Sequence, residues 1–202
     1  YLRRDDPDIL SDLVAQRKGE LLFPVPEFDS PDHEYFLSEV KTALVLDSWV
    51  DEKDEEELLR SFSIGPGDLH NKVEVGEWLL YSMRELSNIF NKDCYPVLTK
   101  LMARMKYGVK EELLELVELK GVGRVRARSL FRKGFVSRES LREARMEDIS
   151  KVIGIGDTLA DRIKRQVDPD HVPVKTTKTR KEAPPKMAEE PAKQGQTRLF
   201  DF

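Results

Sequence analysis

The chain contains a repeat that limits what it can fold into. Gly121, Gly123, Ala127 and Leu130 recur as Gly154, Gly156, Ala160 and Ile163, each 33 positions later. A Gly-apolar-Gly triplet ahead of helix-spaced apolar residues calls for a tight turn between two helices. Glycine enters the left-handed turn conformation without a Cβ penalty, and it leaves backbone N–H groups bare. Val122 and Ile155, between the glycines, are the residues that anchor each turn to a core. The spacing predicts two helical hairpins over 119–167. A use for packing alone is the alternative.

The rest of the sequence reads as helix as well. Apolar residues recur at three and four rather than at two. The charged fraction of 36% suits long solvated helices. Residues 1–29 read as a connecting segment, with a short helix over 8–18 and extended chain at Phe23-Pro24-Val25-Pro26. Ser30 can cap the next helix with Pro31 at its first position, and Phe36, Leu37, Val40 and Leu44 form its apolar stripe. Trp49 is placed just beyond that helix. The run 51–57 (DEKDEEE) reads as a solvated loop and first helical turn, with a metal site open on composition alone. Gly65-Pro66-Gly67-Asp68 opens a long helix to about Phe90, with Leu69, Val73, Gly76, Leu80, Met83 and Phe90 as its core face. Further helices are expected near 95–107 and 110–119. From Asp168 the composition turns to Pro, Lys, Thr and Glu, which cannot bury enough apolar surface to order a chain. The expected class is all-α: a helical bundle over 30–107, a small tandem-hairpin domain over 108–167, and a disordered tail over 168–202.

Charge separates these parts. Residues 1–60 hold seven Lys and Arg against seventeen Asp and Glu, whereas 120–145 hold nine against two, although the whole chain carries −4. A concentrated basic segment is the electrostatic footprint of a polyanion binder. The lone Cys94 cannot form an internal disulfide, so a reducing compartment is the default. Beside Pro96 it reads as a small half-buried residue rather than a nucleophile. No apolar run approaches a membrane span of about 18 residues.

The paired triplets, Leu119-Lys120-Gly121-Val122-Gly123 and Ile153-Gly154-Ile155-Gly156, are the helix-hairpin-helix signature. Their bare amides and the helix N-termini behind them can cradle a phosphate oxygen. Arg124, Arg126 and Arg128 follow the first copy. Arg124 and Arg128, four apart, share a face, and Arg126 points elsewhere, open to a neighbouring domain. Asp157 and Asp161 follow the second copy and make it look largely structural. Trp78 lies opposite the core stripe of the long helix with Asn71 on its face. It either stacks on a base or packs against another domain. At the C-terminus, Gln196, Leu199 and Phe200, with Phe202, resemble the sliding-clamp (PCNA) interaction motif, with docking on the chain's own core as the alternative. There is no phosphate loop of the Gly-x-x-x-x-Gly-Lys-Ser/Thr type, no zinc cluster and no Ser/His/Asp set.

Three stretches give a wider resemblance: Ser63-Ile64-Gly65-Pro66-Gly67-Asp68-Leu69 running to Glu77-Trp78-Leu79, Gly121-Val122-Gly123-Arg124-Val125-Arg126-Ala127-Arg128, and Val40-Lys41-Thr42-Ala43-Leu44 with Trp49. In order and spacing they resemble the C-terminal region of archaeal Hjm-type superfamily 2 DNA helicases, relatives of the polymerase theta helicase. The resemblance covers about residues 1–167. It implies a ratchet domain and a terminal helix-hairpin-helix domain, preceded by a winged helix to which 1–29 connects. It further implies a 3′-to-5′ ATP-dependent helicase of the archaeal cytoplasm, associated with the nucleoid, acting on forked or branched DNA in repair and replication restart. Trp78 would stack on a base of the single strand. The family places basic residues after the Pro-Gly-Asp turn; here His70, Asn71 and Lys72 stand there, and Lys72 is the best phosphate partner. Gly121, Gly123, Gly154, Gly156 and the three arginines would grip DNA. ATP and Mg would belong to motor domains absent from this chain, which has no cofactor of its own and would be inactive alone. The tail would meet a sliding clamp or a single-strand-binding protein. A non-catalytic adaptor acting through that tail is the alternative function. A nuclease or lyase built on Asp157 and Asp161 lacks a completing partner.

Overall fold

A computed structural model describes residues 2–4 and 6–171. The C-terminal motif at Gln196, Leu199, Phe200 and Phe202 lies outside the described residues. Within them the chain forms ten α-helices and no strand: α1 Asp6–Gln16, α2 Pro31–Val50, α3 Glu55–Phe62, α4 Pro66–Phe90, α5 Cys94–Tyr107, α6 Leu114–Val117, α7 Arg124–Arg132, α8 Arg138–Glu143, α9 Met146–Ser150 and α10 Asp157–Val167. The chain is all-α.

Local chemistry sets the helix starts. The Ser30 hydroxyl accepts from the Asp32 amide at 3.2 Å, with Pro31 at the first position of α2. Asp54 caps α3 by accepting from Glu57 N. At α4 the Gly65 amide donates to the Asp68 carboxylate at 2.9 Å, ahead of Pro66.

Among the described residues, three apolar clusters hold the fold together. Leu10 and Val14 of α1 pack on Leu37 of α2. Val45 and Val50 of α2, Leu58 of α3, Leu69, Val73 and Leu80 of α4 and Met105 of α5 form the bundle core. A separate cluster from Val109 to Ile163 fills the C-terminal unit. Two residues expected in the bundle core are outside it: Met83 and Phe90 are exposed, Phe90 at 81%. The helical repeat makes the stripe Leu69–Val73–Gly76–Leu80 drift around the helix, and Ser87 takes the inward position of the last turns instead. Cys94 is exposed, not half-buried. Trp49 lies inside α2 rather than beyond it.

The α1–α2 contact carries an ion pair between Lys41 Nζ and Asp6 Oδ2 at 2.6 Å. Burial alone raises the carboxyl of Asp6, but the Arg3 amide and the Lys41 ammonium outweigh it and hold the group below its ordinary value. A carboxyl depressed in the folded state stabilises above its unfolded pKa of about 3.9, and the contribution fades as pH falls through the folded value. The protection factors of the α1 amides, with the intrinsic exchange rate divided out, are therefore expected to fall below about pH 4. Lys41→Met should erase most of that pH dependence, and an unchanged profile in this variant would rule the pair out as its source.

Candidate nucleic-acid interface

The two hairpins match bond for bond. Gly121 takes φ 91° and Gly154 takes φ 81°. Both lie in the left-handed region, where a Cβ is penalised. Val122 N donates to Leu119 O and Ile155 N to Val152 O, both at 2.9 Å, closing each turn. Val122 and Ile155 are buried, so the residue between each glycine pair does anchor its turn. Gly123 and Gly156 then start α7 and α10 in extended conformation without a capping side chain. The amides of Gly123, Arg124 and Val125, and of Gly156, Asp157 and Thr158, donate to no acceptor among the described residues. Each copy thus presents a bare helix N-terminus, the geometry that accepts an anion.

Arg124 and Arg128 share a face, as their spacing requires, but it meets the bundle. Arg124 lies over the Trp49 ring with its guanidinium carbon 4.4 Å from the centroid, and its Nη2 donates to Lys53 O at 2.5 Å. The stacked geometry is that of a cation–π contact. Burial lowers the pKa of Arg124, opposed by Glu52, Glu55 and Asp54. Arg128 makes a fork-to-fork pair with Glu52. Its Nε donates to Glu52 Oε1 at 2.8 Å. Its Nη2 donates to Glu52 Oε2 at 2.5 Å and also reaches Glu112 at 3.0 Å. Such bidentate, charge-assisted pairs are among the stronger hydrogen bonds. Donating to these carboxylates, Glu52 first, raises the pKa of the guanidinium further. Glu52, expected in a solvated loop, has an 11% exposed side chain and sits at φ 65°. Arg126, which the spacing sent toward a neighbouring domain, instead stays within the hairpin unit, donating to Gly154 O and Gly121 O. Helical spacing tells which residues share a face but not what packs against that face.

Other basic residues of 120–145 are engaged too. Arg138 pairs with Glu118, Arg142 with Glu139, and Arg145 with Asp148. Lys120, Arg132 and Lys133 have no ion pair among the described residues and remain the available cations of that segment. The second hairpin is less acidic than its sequence suggests. Asp161 is buried, receiving Arg165 at 2.5 Å and facing His171 at 3.0 Å, so only Asp157 stands at that helix start.

On α4, Trp78 is 66% exposed, opposite the buried stripe. Asn71 is exposed, and at seven residues before Trp78 it lies almost in line with it along the helix. Lys72 is the residue expected to meet a phosphate. It is half-buried, and its Nζ donates to Thr42 Oγ1 of α2 at 3.2 Å. At six residues from Trp78 it sits well around the helix, on a different face. The face around Trp78 carries Glu74 and Glu85 rather than cations, with Val75, Leu79, Leu86 and Ile89 exposed beside it. Such a face suits the apolar flat of a base better than a phosphate.

The joint between the bundle and the hairpin unit went unread in the sequence. Trp49 Nε1 donates to Met105 O at 2.7 Å, and Arg104 Nη2 donates to Val50 O at 3.1 Å. Gly108 ends α5 at φ 61°, and a Cβ there would lie 2.4 Å from the Trp49 ring. Only Trp49, next to last in α2, and the glycine after Lys106-Tyr107 hinted at it.

Comparison with known proteins agrees with this architecture. The model of the archaeal helicase domain 4 family matches residues 1–108, and that of the SAM-like helix-hairpin-helix tandem matches 113–168. The chain is 37% identical over 206 residues to the ATP-dependent DNA helicase Hel308 of Methanocella arvoryzae, covering all of this chain and 26% of that protein. The Hel308 of Thermococcus kodakarensis is 38% identical over 186 residues, covering 91% of this chain and 16% of that protein. That of Pyrococcus horikoshii is 38% identical over 165 residues, covering 81% and 22%. The chain thus spans about a quarter or less of the length of these curated relatives. By its first 108 residues it belongs to the archaeal helicase family, as the domain 4 of such an enzyme followed by a tandem helix-hairpin-helix domain.

Proposed function

We propose that this chain is the DNA-holding C-terminal part of an ATP-dependent 3′-to-5′ helicase that acts on forked or branched DNA in repair and replication restart. The observation that carries the reading is Trp78: a large aromatic, 66% exposed, midway along a 25-residue helix whose opposite face is the bundle core. The relatives' activity as ATP-dependent DNA helicases supports it. In this reading a single strand runs along α4 with a base on Trp78 and Asn71 beside it. The bare amides at Gly123 and Gly156 take phosphates, and they hold position without reading sequence. ATP and Mg²⁺ are handled by the portion of the enzyme outside this chain. Gln196, Leu199, Phe200 and Phe202 recruit a sliding clamp or a single-strand-binding protein; deleting 194–202 should abolish that capture in pull-downs with the purified partners.

Trp78→Ala tests the core of the reading. Loss of one stacked base costs on the order of 1–3 kcal/mol, so single-strand affinity by fluorescence anisotropy should fall roughly 5- to 150-fold. The thermal midpoint should hardly move, because the ring is outside the core. Affinity should weaken steeply with salt in the unsubstituted chain. Equal affinity of both proteins would remove Trp78 from the strand path.

A further inference from the structure

The two hairpins are tied to each other by a crossed pair of contacts. Leu159 is the third residue of α10, and its Cδ1 lies 2.9 Å from where a Cβ on Gly121 would be. Arg126 is the third residue of α7, 33 positions earlier, and its Cγ lies 3.7 Å from the matching point on Gly154. The contacts correspond, but the side chains do not. Arg126 adds a charged planar fork: Nε donates to Gly154 O and Nη1 to Gly121 O, both at 2.9 Å. A rigid guanidinium bonded to both turns fixes their separation and relative rotation, which a flexible ammonium cannot do. Its Nη2 has no acceptor among the described residues.

The second turn needs what Arg126 brings. Its own stretch, Val152-Ile153-Gly154-Ile155-Gly156, has no cation; Lys151 before it is paired with Asp148, and Asp157 follows at the start of α10. A carboxylate there repels the anion that the bare amides of Gly156, Asp157 and Thr158 would otherwise accept. Arg126 supplies the nearby positive charge from the other repeat.

We propose that Arg126 is a positioning residue that couples the two hairpins into one grip on the phosphate backbone of DNA, making the second hairpin a binding element despite Asp157. This rests on the DNA-holding reading. The full chain carrying Arg126→Lys, Asp157→Asn or both, with Arg126→Ala alongside, is titrated against a labelled fork across a salt series, with thermal unfolding recorded for each. Arg126→Lys should weaken binding about tenfold, the scale of one lost charge-assisted contact, because the charge remains but the bridge does not. Asp157→Asn should tighten binding several-fold in the unsubstituted chain and have little effect beside Arg126→Lys. Full affinity in Arg126→Lys, or the same Asp157→Asn gain in both backgrounds, overturns the inference. Should Arg126→Ala unfold, the lysine background still decides the matter. No salt-dependent binding by the unsubstituted chain overturns the DNA-holding reading itself, and this inference with it.

Discussion

Replacing Gly108 by alanine is expected to destabilise the chain by about 3–5 kcal/mol, a drop of roughly 10 °C or more in thermal midpoint for a chain of this size. Two costs combine. A non-glycine residue in the left-handed region costs about 1–2 kcal/mol, and Gly108 sits at φ 61°. The new Cβ would also lie 2.4, 2.5 and 2.8 Å from three carbons of the Trp49 ring. That ring cannot easily yield: its Nε1 is bonded to Met105 O and its π-face carries Arg124. Shifting it breaks the joint between the bundle and the hairpin unit. Gly134 provides the internal control. It has φ 93° but open space where a Cβ would go. Gly134→Ala should therefore cost only the backbone share, about 1–2 kcal/mol. Similar losses in the two variants would show that the Trp49 contact contributes nothing.

The second large effect is expected at Glu52. Its carboxylate takes both arms of Arg128, with the two side chains only 11% and 21% exposed. Removing one partner of a shielded pair leaves the other desolvated and poorly matched, at about 3–5 kcal/mol for full burial. Here Glu112 remains as a second acceptor 3.0 Å away. The expected loss for Glu52→Ala is therefore smaller, about 2 kcal/mol. Arg128→Ala should cost a similar amount, and the double variant clearly less than the sum, since both remove the same bond. Strict additivity in chemical denaturation would mean the pair is not coupled. Acid should act in the same direction. Burial raises Glu112, but hydrogen bonding and the charge of Arg128 hold it below the ordinary carboxylate value. Its contribution is therefore present above about pH 4.3 and lost as pH falls through the folded value. Labels placed on α4 and α10 should report a looser joint in Glu52→Ala at neutral pH.

The two effects bear on how the arginines are understood. Arg124 and Arg128 lie one helical turn apart and face the same way, as their spacing requires. What they face is Trp49 and Glu52, 75 and 76 residues away in the chain. A loss of DNA affinity in Arg128→Ala would therefore pass through the joint, whereas Lys120, Arg132 and Lys133 can meet a polyanion directly.

Much of the fold was legible because it rests on short-range chemistry. The caps at Ser30 and Asp68 act within three residues. The hairpins were legible because a left-handed turn needs glycine at Gly121 and Gly154, and two turns 33 residues apart are improbable without a duplicated unit. Trp78 was legible as off-core because a helix of constant pitch assigns faces by arithmetic. The same arithmetic failed at Met83 and Phe90, since a drifting stripe leaves the partner helix before α4 ends.

What the sequence by itself determined, then, is the helical class, the duplicated turn and the outward face of α4, all properties of backbone conformation and of separations along one element. Only the tertiary structure decided where the long side chains end. Lys72 went to Thr42, Arg128 to Glu52, and Arg126 to the two glycine carbonyls. A guanidinium or ammonium on several rotatable bonds pairs with whichever acceptor the packing of distant elements brings within about 3 Å, and local spacing carries no information about that neighbour.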